Sequence, residues 1–299
     1  MGKRLLDCST SDWQKMTKKE ILAAIAASEG RVLVSEVIGA LPPLLFDISN
    51  AELVAACGAD LILLNMLDLD QPEYFGLPPH APGEVIRVIK RLTGRLIGVN
   101  LEAVDETTTL PPGRRASAQN ARKAREMGAD FIVLTGNPGT AASNRVISNV
   151  LAAIDQEVGD ELIIAAGKMH AAGVRSESGE RLVTAQDVEE FIQAGCDIIL
   201  LPAPGTVPGI TVEYIKGLVQ LAHARGVLTM TTVGTSQEGA DEQTIREIAL
   251  LAKMTGTDLH HLGDAGYPGI AVPENIIAYS IAIRGRRHTY RRMACSINR

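Results

Sequence analysis

The chain has 299 residues, with 29 Lys plus Arg against 35 Asp plus Glu for a formal charge of −6, and it is 46% apolar, 21% charged and only 3% aromatic. Few aromatics and an acidic balance exclude the stacking platforms and basic surfaces that nucleic-acid binding needs. Cys8, Cys57, Cys196 and Cys295 form no CxxC pair, which argues against zinc and disulfide frameworks, and no apolar run reaches the ~18 residues of a membrane span. The composition predicts a globular, cytoplasmic protein.

In chain order, Thr17-Lys18-Lys19-Glu20 is a capping box opening the helical stretch ILAAIAASEG, a helix placed to close one end of the fold. Eight short Val/Ile/Leu-rich runs come next, near 31–37, 61–66, 95–101, 131–135, 161–167, 197–202, 227–233 and 258–263. Every second run is preceded by one phrase: Gly58-Ala59-Asp60, Gly128-Ala129-Asp130, Gly195-Cys196-Asp197 and Gly256-Thr257-Asp258, whose glycines stand 70, 67 and 61 residues apart. The runs are too continuous for half-exposed antiparallel strands and read as buried parallel ones. Stretches of helical periodicity such as PGEVIRVIKRLTG, TAQDVEEFIQAG and EQTIREIALLAKMTG lie between them and end in Gly.

Eight strand–helix units predict an α/β (βα)8 TIM barrel filling 1–299 as one domain, with an N-terminal capping helix and a basic C-terminal helix. A doubly wound open sheet would need a topological switch that this fourfold period does not offer. The last helix begins at Pro273 and carries Arg284, Arg286, Arg287, Arg291 and Arg292, with Arg299 beyond. It reads as a solvated face or as the contact of a homo-oligomer.

Active sites in this fold sit at the C-terminal ends of the strands. That rule selects Glu36, Asn65, Asn100, Glu102, Thr135, Asn137, Lys168, His170, Thr206, Thr232 and Asp264. Lys168 and His170 share a face by strand alternation, and a lysine at a barrel mouth forms a Schiff base or stabilises an oxyanion while a histidine moves protons. Glu36, Asn100 and Glu102 are in phase with inward positions, as base or positioning residues. The loops holding Gly234, Thr235, Ser236 and Gly263, Asp264, Gly266 offer either a nest of backbone amides for phosphate or ordinary turns. No cofactor is required by these residues. Asp68 and Asp70 offer a Mg²⁺ alternative. His260 and His261 are adjacent in the last strand and face opposite sides.

The sequence resembles the BtpA family of TIM-barrel proteins across residues 31 to 205, through Gly39-Ala40-Leu41-Pro42-Pro43-Leu44, Gly98-Val99-Asn100-Leu101, Gly128-Ala129-Asp130-Phe131-Ile132 and Lys168-Met169-His170. That resemblance implies a barrel with a phosphate or nucleotide-sugar type of ligand. The stretch FDISNAELVAACGADLILL is similar to the phosphoenolpyruvate mutase and isocitrate lyase barrels, with Asp68-Leu69-Asp70 in place of their acidic metal motif. The expectation is an enzyme acting on a small anionic, phosphorylated metabolite through Lys168 and His170. A Mg²⁺-dependent lyase or mutase and a non-catalytic metabolite-binding barrel are the alternatives.

Overall fold

Eight parallel strands, β1 (Val32–Ile38), β2 (Leu61–Asn65), β3 (Leu96–Glu102), β4 (Phe131–Thr135), β5 (Ile163–Gly167), β6 (Ile198–Pro202), β7 (Leu228–Val233) and β8 (Leu259–Leu262), close into a barrel in which β8 pairs with β1. This computed structural model describes residues 2–104, 108–136, 143–171 and 174–299. Each strand falls within two residues of its predicted run. The main helices are α1 (Thr10–Trp13), α2 (Lys18–Ala26), α3 (Asn50–Ala56), α4 (Val85–Thr93), α5 (Ala118–Glu126), α6 (Asn144–Val158), α7 (Ala185–Gln193), α8 (Val212–Ala224), α9 (Glu242–Met254) and α10 (Pro273–Ala294). Among the described residues, no helix is long and apolar enough to cross a membrane.

Strand alternation separates two cores. Outward residues such as Leu33, Ile62, Ile97 and Ile164 pack under the helices, while Val34, Leu63, Phe131, Ala165, Leu200 and Met230 fill the barrel. Gly98 points inward on β3 because the Phe131 ring occupies the space beside it: a Cβ there would lie 2.2 Å from the ring. The N-terminal segment completes the interior from below, with Leu5, Trp13, Ile21 and Ile25 joining the inner cluster. Helix α2 starts with the expected capping box, Thr17 accepting from the Glu20 N–H.

The repeated Gly-x-Asp phrase has a common structural task. Each aspartate, standing just before an even-numbered strand, accepts the backbone N–H of the second residue of the preceding strand. Asp60 takes Leu33 at 2.9 Å, Asp130 takes Ile97 at 2.9 Å, Asp197 takes Ile164 at 2.8 Å and Asp258 takes Thr229 at 2.9 Å. Each also meets a cation or imidazole: Lys90 reaches Asp130 and Lys18 reaches Asp197, both at 2.6 Å, and His223 reaches Asp258 at 2.8 Å. Burial raises the Asp130 and Asp197 carboxyls above the usual range against the pull of these lysines.

Asp60 is paired more heavily, and its partners correct the expectation of a solvated arginine face on α10. Arg284 and Arg292 are buried and lie 2.5 and 2.6 Å from its two carboxylate oxygens. Burial alone would raise Asp60, but these two guanidiniums reverse that and hold it low. Arg292 also donates to the Leu5 and Cys8 carbonyls and stacks 4.8 Å from the Trp13 ring centroid, and Arg291 donates to Leu6 and Asp7. The helix is broken at Gly285, whose φ is 74°, and this break turns both arginines toward one aspartate. Arg286 and Arg287 remain exposed.

Candidate functional site

The C-terminal ends of the strands surround a cavity of about 350 Å³. Inward parity brings Glu36 from β1, Asn65 from β2, Asn100 and Glu102 from β3 and Thr135 from β4 to its wall, joined by His170, Gly234, Gly263 and Asp264 from the loops. Four of these form a hydrogen-bond relay across neighbouring strands. The Thr135 hydroxyl donates to Asn100 Oδ1, Asn100 Nδ2 donates to Asn65 Oδ1, and Asn65 Nδ2 donates to the Asp264 carboxylate, each at 2.9 Å. Glu102 is held by Arg114 at 2.5 Å.

Besides the Arg114-paired Glu102, Asp264 shares the cavity with Glu36 and Glu238. Burial, reinforced by the Glu36 charge and only partly opposed by the Asn65 hydrogen bond, pushes its carboxyl up to about 6. Glu238 is buried and raised mainly by that burial; its Oε1 accepts the Ala265 N–H at 3.1 Å while Oε2 has no hydrogen-bond partner. Gly263 makes the approach feasible, since a Cβ there would sit 2.6 Å from Glu238 Oε1. His261 points inward beneath them. Its Nε2 is 3.2 Å from Glu36 Oε2 without hydrogen-bond alignment, so both ring nitrogens lack a hydrogen-bond partner. His260 faces outward, between Tyr279 and the Gly30 carbonyl, and burial pushes it down to about 4.

A second cavity of about 620 Å³ shares His170 and Gly234 with the first and is lined further by Arg175, Ser178, Val207, Thr235 and Ser236. Burial lowers the pKa of His170 at this junction. The expectation that Lys168 and His170 reach the mouth together is corrected here. Ile163 and Ala165 set the inward phase of β5, so Met169 turns to the interior and Lys168 away from it. Lys168 is 1% exposed and lies 2.5 Å from Glu177 Oε2.

Thr206 and Thr232 are also off the cavity wall: both are buried, with their hydroxyls donated to the Ala203 and Leu201 carbonyls. Gly266 lines a separate depression with Asp264 and Leu41. Asp68 and Asp70 stand outside the mouth, Asp70 paired with Lys123 at 2.7 Å, and no group of three His, Cys, Asp or Glu among the described residues has a metal-holding arrangement. Asn137 lies outside the described residues. Arg114 and Glu238 escape sequence reasoning because they sit in loops well past their strand ends; Arg114 is brought back where the Ala116 N–H bonds the Glu102 carbonyl at 2.8 Å.

Comparison with known proteins bears on the fold and the family. The model of a domain of unknown function, DUF7916, matches residues 6–299, and the chain belongs to that family. No curated protein matches the sequence. Among solved structures, it is similar to the carboxyl transferase domain of Rhizobium etli pyruvate carboxylase with 3-bromopyruvate, at 13% identity and TM-score 0.57, over 96% of this chain and 52% of that one. The same domain with pyruvate matches at 12% identity and TM-score 0.54, over 97% and 52%. The chain thus spans about half the length of these neighbours, and the likeness extends to the barrel alone. The barrel implied by the BtpA resemblance is present; the family model that matches is DUF7916.

Proposed function

With membership of the family supplying no activity, we propose from the site that the protein is an acid–base enzyme acting on a small, hydroxylated and phosphorylated metabolite, as a lyase or isomerase. The observation that carries this reading is Asp264, a buried carboxyl raised to about 6, opposite Glu36 and anchored by the Asn65–Asn100–Thr135 relay. Two carboxyls held in different environments divide the roles of acid and base. Protonated Asp264 donates to a substrate oxygen while the Glu36 carboxylate takes a proton from the adjacent carbon or hydroxyl; exchange with solvent restores both. Arg114 and Asn100 orient the hydroxyls, and neutral His170 stands ready at the junction to relay a proton.

Four carboxyls, Glu36, Glu102, Glu238 and Asp264, line the mouth against one guanidinium. A phosphoryl dianion among them would be repelled, so the mouth receives the uncharged carbons and hydroxyls and the phosphoryl group lies beyond it. A nucleoside-type ligand, as the BtpA resemblance implies, meets the same division. The test is incubation with a panel of sugar phosphates and nucleotides in D2O, followed by proton and phosphorus NMR. Solvent deuterium entering a substrate or product, abolished in Asp264→Asn, is the expected result; deuterium exchange that persists unchanged in Asp264→Asn overturns the assignment.

A further inference from the structure

Building on that reading, we infer that the cavity beside the mouth seats the substrate's phosphoryl group on Arg175 and the β7 loop, and that Lys168 is the positioning residue for Arg175. The two cavities meet at His170 and Gly234, so one small molecule extends from the carboxyl-lined chamber into the other. Among the described residues, no carboxylate pairs with the Arg175 guanidinium. Ser236, which lines the same cavity, holds a left-handed backbone with φ of 71°, uncommon for a residue with a side chain. Val174, Val207 and Pro208 supply apolar surface beside the guanidinium, which leaves Arg175 as the cationic group on that wall.

Lys168 explains how Arg175 is kept there. Arg175 and Glu177 belong to one short 3-10 turn, Arg175–Glu177, and the buried Lys168 ammonium grips that turn through Glu177 at 2.5 Å. The buried ammonium has strong reason to retain its carboxylate, because an unpaired charge in that position is costly. The lysine singled out in the sequence therefore works from behind the pocket wall and touches no substrate.

Phosphorus NMR titration of the full chain with glycerol 3-phosphate and inorganic phosphate, with glycerol and glycerate added as competitors and read by displacement of the phosphorus ligand, tests both parts. Glycerol 3-phosphate and phosphate are expected to compete, and Arg175→Gln to weaken both by about tenfold, with partial recovery in Arg175→Lys. Glu177→Gln is the discriminating variant. Removing a negative charge near an anion would tighten binding if Glu177 acted by charge alone; positioning predicts weaker binding instead, matched by Lys168→Met and restored in part by Lys168→Arg. Tighter phosphate binding in Glu177→Gln overturns the role of Lys168. Binding within twofold of the parent in Arg175→Gln overturns the seat, and Arg175 is exposed enough for that variant to fold. Glycerate binding as well as glycerol 3-phosphate overturns the phosphoryl assignment. Deuterium exchange that depends on Asp264 without phosphate affinity breaks the subsite and leaves the acid–base reading standing, and the converse result separates them the other way.

Discussion

The two ends of the barrel handle buried charge in opposite ways. At the lower rim, each of four aspartates accepts a strand N–H and faces a positively charged or imidazole partner, and Asp60 has two arginines. At the mouth, Glu36, Glu238 and Asp264 share one cavity, a Glu238 oxygen and both His261 nitrogens lack hydrogen-bond partners, and Asp264 is pushed up to about 6. A repeated arrangement that sets each carboxylate against a cation or imidazole holds the fold; an irregular one that crowds carboxyls together keeps a group that exchanges protons near neutral pH.

Substitutions at the two ends should therefore separate activity from stability. The largest effect belongs to Asp264→Asn, expected to lower turnover by about 10²- to 10⁴-fold. Its stability should move the other way. The folded-state pKa lies above the unfolded value, so the folded protein binds this proton more tightly and stability falls as pH rises from about 4 to about 6. Melting curves should show Asp264→Asn gaining over the parent at pH 8 and not at pH 4; equal gains at both would contradict the raised carboxyl.

Asp60→Ala comes next, with a loss of about 3–5 kcal/mol in urea unfolding, because two buried guanidiniums lose their counter-charge. Asp130→Ala and Asp197→Ala should each cost about 1–3 kcal/mol by the same measurement, through a lost acceptor for a buried strand N–H. A lower-rim variant that reduced turnover of still-folded protein more than it reduced stability would dissolve the contrast. The smallest effect is expected for Thr135→Val, less than about tenfold in turnover with no shift in the unfolding midpoint, since it removes the far member of the relay and leaves Asn65 on Asp264.

The barrel was legible because parallel buried strands leave continuous apolar runs and because Gly-x-Asp recurs at each even strand. The task of those aspartates was not: the bond from Asp130 to the Ile97 N–H crosses 33 residues, and nothing in the local phrase names its partner. Strand parity likewise brought Glu36, Asn65, Asn100, Glu102 and Thr135 to the cavity. Parity also carries the information that turns Lys168 outward, once Ile163 and Ala165 are known to fill the interior; the β5 segment IIAAG is apolar on both faces and hides that phase. Arg114 and Glu238 depend on how long loops fold back, which periodicity does not encode.

The lower-rim aspartates also divide the barrel in time. Each carboxylate–amide bond joins an odd strand to the even strand that follows it, over separations of 27 to 33 residues, so the four strand pairs can form while the chain is still being completed. The Arg284–Asp60 contact spans 224 residues and waits for the last helix. The arginines of α10 thus act as the closing stitch: until they arrive, Asp60 has its strand amide and only the Arg95 charge near it, without the two guanidiniums that contact its carboxylate directly.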